Sequence, residues 1–233
     1  MPKQYPYHIA IILDGNRRYA KKQSMPVWKG HEFGAKKVKE LIKWCIELGI
    51  KQLTLYTFSI ENFSRKKQEV EYLMGLFRKY FSEMKSNEKK DTKEVKVRFA
   101  GRLSLFPDDI QKIMNEISDK TKDNKKLTVN FAIGYGGRTE ILDAIKRIIS
   151  DEKSGILDAS TLTEKSISKY LYLEDEPHII IRPGGEVRVS NFLIYQGAYS
   201  EWFFIKKLWP EMTKLDFIRI LDEFNLRERR FGK

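Results

Sequence analysis

The sequence predicts a single-domain α/β protein with a six-stranded, mainly parallel sheet that has helices on its faces. Short apolar runs rich in β-branched and aromatic residues alternate with segments of helical periodicity, which is the pattern of a parallel sheet. Several of these runs end in polar or glycine-rich turns, the positions at which open parallel sheets bind ligands. The sequence contains no linker, repeat or low-complexity stretch, so we treat residues 1–233 as one domain.

The composition indicates an anionic partner. Lysine and arginine total 44 and aspartate and glutamate total 32, which gives a net charge of +12. Nucleic acid, an acidic lipid surface and a phosphorylated substrate all fit this charge. The lone Cys45 excludes an internal disulfide and fits a reducing compartment. No signal peptide is recognisable, and no apolar stretch approaches the roughly 18 residues of a spanning helix, so we expect a cytoplasmic protein.

The first predicted strand carries the most informative turn. The apolar run 9–13 is long enough for a strand buried on both faces. It is followed directly by Asp14, Gly15, Asn16, Arg17 and Arg18. This set suits anion binding, with a carboxylate free to hold a metal ion. A plain strand-to-helix turn with a capping aspartate is the alternative.

The remaining segments follow the same alternation. Apolar residues at helical spacing predict helices over 29–49, 107–120, 141–149, 162–173, 190–196 and 214–224. β-Rich runs predict strands over 52–58, 95–101, 127–133, 178–181 and 202–205. A long amphipathic helix carries an apolar stripe from Val70 to Met84, whose ordinary interpretation is core packing.

Four turns are expected to meet at one edge of the sheet. They are 14–18, 59–65, 134–138 and 182–190, each of which follows a predicted strand. Their convergence would gather Arg18, Arg65, Arg182 and Arg188 with Ser59, Asn62 and Ser190. Planar guanidinium groups beside hydroxyl and amide donors suit phosphate or diphosphate oxygens.

Other binding templates fit poorly. The sequence contains no GxxxxGK[ST] loop, and 134–137 is not a dinucleotide fingerprint. The spacing of His8, His31 and His178 matches no zinc pattern. Of the three, His31 follows Gly30 near a helix start and could face a bound anion.

A series of long motifs spreads over nearly the whole chain. In order these are HIA (8–10), DGNRRYA (14–20), GH (30–31), YTFSIENFSR (56–65), YGGR (135–138), RPGGEVRVSNFLIYQGAYSEWFF (182–204), LWP (208–210) and RERRFG (227–232). Together they closely resemble the cis-prenyltransferase family, of the undecaprenyl diphosphate synthase type.

The resemblance implies a fold and an activity. It implies a homodimer, with a hydrophobic tunnel opening at the motif edge of the sheet and the stripe 70–84 as tunnel wall. It implies Mg²⁺-dependent condensation of isopentenyl diphosphate onto an allylic prenyl diphosphate, giving a long-chain polyprenyl diphosphate that is a lipid-carrier precursor. Product release would involve peripheral membrane contact, and no nucleic acid partner is implied.

The resemblance also assigns roles. It makes Asp14 the essential carboxylate, which holds Mg²⁺ together with Glu201. The allylic diphosphate is assigned to Gly15, Asn16, Arg17, Arg18, Tyr19 and His31, and isopentenyl diphosphate to Arg182, Arg188 and Ser190. Ser59, Asn62 and Arg65 would lie between the substrates, with Asn62 and Ser59 assisting proton removal. The tail segment 230–232 matches one that completes the partner subunit's site.

Two positions depart from the family pattern. Val27 stands where an arginine often aids the allylic diphosphate, and we expect the nearby Lys29 to compensate in part. Pro183 replaces a hydroxyl residue in the RPGGE turn. Three alternatives remain open: a family enzyme with an unusual acceptor or a short product, a non-catalytic partner subunit, and a nucleic-acid-binding domain suggested by charge alone.

Overall fold

The computed structural model describes residues 5–86 and 94–227. Its strands are β1 (His8–Ile12), β2 (Gln52–Ser59), β3 (Val95–Ala100), β4 (Leu127–Tyr135), β5 (Ile179–Pro183) and β6 (Glu201–Ile205). They form one six-stranded sheet in the order β3-β4-β2-β1-β5-β6, and every neighbouring pair is parallel. The predicted fold class is therefore confirmed.

Seven α-helices connect the strands within the described residues. They are α1 (Asn16–Lys22), α2 (Gly30–Glu47), α3 (Lys67–Ser86), α4 (Asp108–Thr121), α5 (Gly137–Lys153), α6 (Glu164–Ser168) and α7 (Lys214–Leu226). Shorter 3₁₀ turns include Val27–Lys29 ahead of α2 and Ile60–Ser64 after β2. The helical spacing in the sequence thus corresponds to helices on both faces of the sheet.

The central strand β1 is buried on both faces. Ile9 and Ile11 belong to the larger apolar core, whereas Ala10 and Ile12 belong to a smaller one on the opposite face. This two-residue alternation is that of a strand covered by helices on both sides. Its continuous apolar sequence is required because neither face meets water.

The strand order changes direction at β1. The chain passes from β1 to β2 on one side of the sheet, whereas β5 pairs with the other side of β1. In parallel sheets such a switch point opens a crevice beyond the carboxyl ends of the strands. The turn that begins at Asp14 lies at this crevice.

Two predicted helices are wrong in extent or kind. The helix expected over 162–173 is reduced to α6. The segment 190–196 is a series of turns, with positive φ angles at Ser190, Asn191 and Leu193. It is held instead by α5, whose first backbone N–H groups, at Gly137 and Arg138, donate to the carbonyl and side-chain oxygens of Asn191. The short helix α1 was not predicted because its sequence, NRRYAKK, lacks apolar periodicity.

Candidate active site

The turn after β1 is fixed by close backbone packing. Gly15 has a φ of +105°, a conformation that residues with a Cβ rarely adopt. The Asp14 carbonyl accepts a hydrogen bond from the Trp209 backbone N–H at 2.9 Å. A Cβ on Gly30 would lie 1.9 Å from the Asn16 carbonyl oxygen. Glycine at position 30 therefore lets α1 and α2 meet, which brings His31 beside the turn.

Two guanidinium groups flank the Asp14 carboxylate. Arg18 donates to Oδ1 at 3.1 Å, and Arg182 donates to Oδ2 at 2.9 Å. The Arg182 side chain is 4% exposed, whereas that of Asp14 is 26% exposed. Each carboxylate oxygen keeps a further lone-pair position, so Asp14 remains able to bind a cation from the open side.

Arg182 connects the turn after β1 to the loop after β5. Its Nη1 donates to the Ser190 hydroxyl at 2.7 Å and also to the Arg188 carbonyl oxygen. The Arg188 guanidinium is exposed and donates to Glu186 at 2.7 Å. The structure thus brings Asp14, Arg18, Arg182 and Ser190 together, with Arg188 at the rim.

A basic pocket of about 340 Å³ lies beside Asp14. Its lining consists of Leu13, Asp14, Gly15, Asn16, Arg17, Arg18, Lys21, His31 and Arg65. Five of these nine residues are cationic or imidazole side chains, and Asp14 is the acidic one. Such a pocket suits an anion with several oxygens.

Glu69 does not line the basic pocket but contacts three side chains that do, and the sequence interpretation missed it. Its Oε1 lies 3.0 Å from Arg65 Nη1, 3.8 Å from Arg17 Nε and 3.9 Å from His31 Nε2. Three groups assigned to substrate therefore face one internal carboxylate. The i,i+4 spacing of Arg65 and Glu69 at the start of a helix was the available signal.

His31 is neutral at physiological pH. Burial, together with the positive charges of Arg65 and Arg17, lowers its pKa from 6.5 to about 4. Among the described residues its Nε2 has no hydrogen-bond partner, and neither has the Asn16 Oδ1 atom. Both residues line the pocket, so unpaired polar atoms stand ready for a ligand.

An apolar cavity of about 350 Å³ extends from the basic pocket. It is lined by Leu13, Asn16, His31, Gly34, Ala35, Val38, Lys39, Ile42, Lys43, Thr57, Leu73, Leu76, Phe77, Tyr80, Phe81, Met84 and Phe131. Leu13, Asn16 and His31 line both spaces, which are therefore contiguous. Much of the predicted stripe on α3 faces this cavity rather than solid core.

Ser59 and Asn62 form a local structure at the end of β2. The Ser59 backbone N–H donates to the Asn62 side-chain oxygen at 3.1 Å, and together they cap the 3₁₀ turn Ile60–Ser64. The Tyr56 hydroxyl, near the same strand end, donates to the Ser190 carbonyl at 3.4 Å. The β2 turn is thus tied to the Arg182 loop, as the convergence argument predicts.

Two predicted site residues, Glu201 and Tyr19, lie outside the pocket. Glu201 begins β6 opposite Ile179, at the amino-terminal edge of the sheet, and accepts a hydrogen bond from Arg227 at 2.7 Å. Within one chain it is therefore not brought to Asp14. Tyr19 packs on Phe33, with ring centroids 5.3 Å apart, and is not part of the pocket lining.

Lys29 also differs from expectation. It lies in the turn ahead of α2 and is exposed, outside the pocket lining. Lys21 lines the pocket instead, because it lies one helical turn beyond Arg17 on α1. The tail motif 230–232 lies outside the described residues.

We expect the two buried histidines to make stability depend on pH. Burial lowers the pKa of both His8 and His31 to about 4. The unfolded chain takes up these protons near pH 6.5 and the folded chain only near pH 4. The free energy of unfolding should therefore fall as pH falls through this window, by at most about 3 kcal/mol for each histidine.

Urea titrations at pH 7 and pH 4.5 measure this effect. His31→Gln should reduce the difference between the two values. An unfolding free energy that is the same at both pH values would contradict the assignment of neutral, buried imidazoles.

Comparisons with known proteins agree with this geometry. A sequence profile described as "Putative undecaprenyl diphosphate synthase" matches residues 12–232. The chain is 49% identical, over 98% of its length and 87% of the relative, to a tritrans,polycis-undecaprenyl-diphosphate synthase (geranylgeranyl-diphosphate specific) of Pyrococcus abyssi. It is 47% identical, over 97% of both chains, to an isoprenyl transferase of Thermotoga maritima.

Solved structures show the same similarity. Lavandulyl diphosphate synthase from Lavandula x intermedia, in complex with dimethylallyl diphosphate, matches with a TM-score of 0.91 and 30% identity, covering 98% of this chain and 99% of that chain. A probable undecaprenyl diphosphate synthase from Campylobacter jejuni matches with a TM-score of 0.82 and 34% identity, covering 99% and 100%. The cationic edge of the sheet, the apolar cavity behind it and these matches lead to one conclusion: the chain belongs to the undecaprenyl diphosphate synthase family of cis-prenyltransferases.

Proposed function

We propose that residues 1–233 form one catalytic domain that condenses isopentenyl diphosphate onto an allylic prenyl diphosphate and makes a long-chain polyprenyl diphosphate. The observation that carries the proposal is the contiguity of the basic pocket with the apolar cavity. A prenyl diphosphate is an anion joined to a hydrocarbon chain, so one molecule fills both spaces.

The two substrates divide the edge of the sheet between them. The allylic diphosphate is assigned to the pocket formed by the β1 turn, with Arg17, Arg18 and His31 as donors. Isopentenyl diphosphate is assigned to Arg182, Arg188 and Ser190, on the far side of Asp14. The lavandulyl diphosphate synthase match was solved in complex with dimethylallyl diphosphate, which supports an allylic diphosphate as one of the two substrates.

The chemistry needs charge separation followed by proton loss. Breaking the allylic C–O bond puts positive charge on carbon and negative charge on diphosphate, which the guanidinium groups of the pocket stabilise. The double bond of isopentenyl diphosphate supplies the new C–C bond, and the adjacent carbon then loses a proton. The proton passes to the departing diphosphate, and we assign Ser59 and Asn62 to assist this transfer by hydrogen bonding.

The residues at this edge fit Mg²⁺. The described residues contain no cluster of three histidine, cysteine or carboxylate ligands, so a cage made by this chain alone does not form there. Mg²⁺ is commonly held by one or two carboxylates together with substrate phosphates, and Asp14 offers such a carboxylate. When bound, the ion would neutralise charge that develops on diphosphate. Glu201 could contribute only from a second copy.

We further propose a homodimer. Leu142, Ile145 and Ile149 form an exposed apolar stripe at i, i+3 and i+7 on α5, between 44% and 48% exposed. Such a stripe on a helix of this length suits another copy of the chain.

We also propose that the protein is cytoplasmic and makes peripheral contact with a membrane. No helix among the described residues has the length and apolar character needed to span a bilayer. Delivery of an apolar product favours peripheral contact with a membrane. The buried, unpaired thiol of Cys45 fits the cytoplasmic location expected from the sequence.

Incubation with labelled isopentenyl diphosphate tests the proposed function. Starters of 10, 15 and 20 carbons are supplied with Mg²⁺, and the products are separated by chain length. The geranylgeranyl specificity of the Pyrococcus relative is the reason for the 20-carbon starter. A ladder of long products supports the proposal, whereas a single addition would indicate the short-product alternative.

Absence of incorporation with every starter would overturn the proposal. The nucleic-acid alternative would then be favoured by a salt-dependent mobility shift of DNA or RNA.

Removal of the Lys21 charge should weaken starter binding. Lys21→Ala is expected to raise the KM for the allylic diphosphate about fivefold, equivalent to about 1 kcal/mol of binding free energy for an exposed charge. The KM for isopentenyl diphosphate should change less, because Lys21 lies on the Arg17 side of the pocket.

Lys29→Ala is the matched control, since it removes the same charge from an exposed position outside the lining. Steady-state kinetics with each substrate varied in turn measure both variants. Equal starter KM values for the two would contradict the assignment of Lys21 to the pocket.

A further inference from the structure

Helices α2 and α3 run side by side away from the basic pocket. Near their starts, the Tyr72 hydroxyl on α3 donates to the Glu32 carboxylate on α2. Further along both helices, the Lys39 ammonium donates to Glu83 Oε2 at 2.6 Å. The paired positions advance together, from 32 to 39 and from 72 to 83, so the helices have the same direction. The two contacts close a seam between them.

The apolar cavity lies beneath this seam. One helix contributes Ala35, Val38, Lys39, Ile42 and Lys43 to the lining, and the other contributes Leu73, Leu76, Phe77, Tyr80, Phe81 and Met84. In the direction of the helices, the lining runs from His31 at the diphosphate end to Lys43 and Met84 at the other. A hydrocarbon chain anchored at His31 therefore lengthens along the seam.

The far end of the cavity differs in polarity from the rest. Lys39 and Lys43, one helical turn apart on α2, are both exposed although their side chains line the cavity. Lysine side chains commonly cover apolar surface with their methylene stems and keep the charge in water. The Lys39 ammonium also lies 5.0 Å from the ring centroid of Tyr80, which lines the cavity, whereas Glu83 does not.

We propose that the Lys39–Glu83 ion pair closes the far end of the tunnel and sets the chain length at which elongation stops. This inference rests on the proposed function. A chain that outgrows the cavity must part α2 from α3 at this pair and pass from apolar lining into charged groups and water. The pair must break before the next isoprene unit can pass between the helices, so growth ends there.

The Lys39–Glu83 ion pair is weak enough for one substitution to open it. The side chains of Lys39 and Glu83 are 52% and 39% exposed, and ion pairs in contact with water are weak. A single substitution should therefore open the seam without unfolding the domain.

The chain offers a matched control. Lys85 lies 2.6 Å from Glu116, with side chains 48% and 36% exposed, and joins α3 to α4 instead of α2. Neither residue lines the apolar cavity. Glu116→Ala therefore removes an equivalent ion pair from the other side of the same helix.

Product chain length tests the proposal. The variants are Glu83→Ala, Lys39→Ala, the charge exchange of Lys39→Glu with Glu83→Lys, and Glu116→Ala. Each is incubated with labelled isopentenyl diphosphate and one starter. We expect both single seam variants to make products longer than wild type by one or more five-carbon units. The charge exchange and Glu116→Ala should give the wild-type distribution.

Each outcome has a clear meaning. Unchanged product lengths in Glu83→Ala and Lys39→Ala, with active enzyme, would overturn the inference and leave the proposed function standing. Longer products in Glu116→Ala as well would assign the effect to general loosening of α3, which also contradicts the inference. Absence of any polyprenyl product from wild type would overturn the proposed function itself.

Discussion

Replacement of Asp14 by asparagine is expected to lower kcat roughly 1,000-fold, the scale of losing a principal electrostatic group at a reacting centre. The variant keeps the size and shape of the side chain but removes the negative charge between Arg18 and Arg182. The site then loses its carboxylate for Mg²⁺, so additional Mg²⁺ should restore none of the activity. Initial rates of isopentenyl incorporation at saturating substrates measure the change.

The fold of this variant should persist, because Asp14 lies in a turn and is partly exposed. Asp109→Asn is the control, since Asp109 is an exposed aspartate that pairs with Arg78 away from the site. It should retain wild-type turnover. More than a tenth of wild-type kcat in Asp14→Asn would remove Asp14 from its proposed role.

Replacement of Arg182 by methionine should damage both the site and the fold. The buried guanidinium donates to Asp14, Ser190 and the Arg188 carbonyl, all of which lose a partner. We expect the free energy of unfolding to fall by about 2 to 4 kcal/mol, because the substitution removes the hydrogen bonds and the ion pair of a buried side chain. Asp14 is open to water, so its carboxylate is hydrated in the variant. Catalytic efficiency for isopentenyl diphosphate should fall about 100-fold or more.

Arg102→Met is the control that separates the loss of stability from the loss of catalytic efficiency. Arg102 forms a bidentate pair with Asp143, at 2.8 and 2.9 Å, at a position that does not line the basic pocket. Urea denaturation and kinetics should show lower stability with unchanged substrate dependence for this control. Equal kinetic losses in both variants would attribute the Arg182 effect to stability alone.

The sequence predicts much of the sheet because its apolar runs are unambiguous. The run 9–13 identifies a buried strand, and the motif turns after β1, β2 and β5 identify the edge of the sheet at which we propose that the substrates bind. Parallel pairing then brings Asp14, Arg182 and Ser190 together without further information. These inferences depend on local pattern and on the geometry of parallel sheets.

Contacts that depend on how a helix is rotated about its axis, or on the path of a loop, could not be predicted from local sequence pattern. Lys21 rather than Lys29 reaches the pocket because α1 turns it there, yet α1 has no apolar signature. Glu69 faces Arg17 and His31 through tertiary packing. The loop containing Asn191 is held by bonds to α5 that lie more than 50 residues away in sequence.

Glu201 illustrates a limit of motif matching. The motif alone groups it with Asp14, although a parallel strand over 202–205 begins directly after Glu201 and so puts it at the opposite edge of the sheet. The register of β6 against β5 puts it at the amino-terminal edge, where Arg227 pairs with its carboxylate. Any joint role with Asp14 must therefore come from two chains.

The central position of β1 also dictates an order of assembly during synthesis. This strand is among the first segments to leave the ribosome, but its neighbour β5 is made much later. Asp14, just after β1, and Arg182, in β5, are 168 residues apart in the sequence. By Tyr135 the strands β1 to β4 are complete, and one side of β1 still lacks its partner. The nascent chain must keep that apolar edge from pairing with other chains, a task typical of chaperones. Because the Trp209 backbone N–H also holds the Asp14 carbonyl, the turn after β1 is completed only when the last third of the chain has been made.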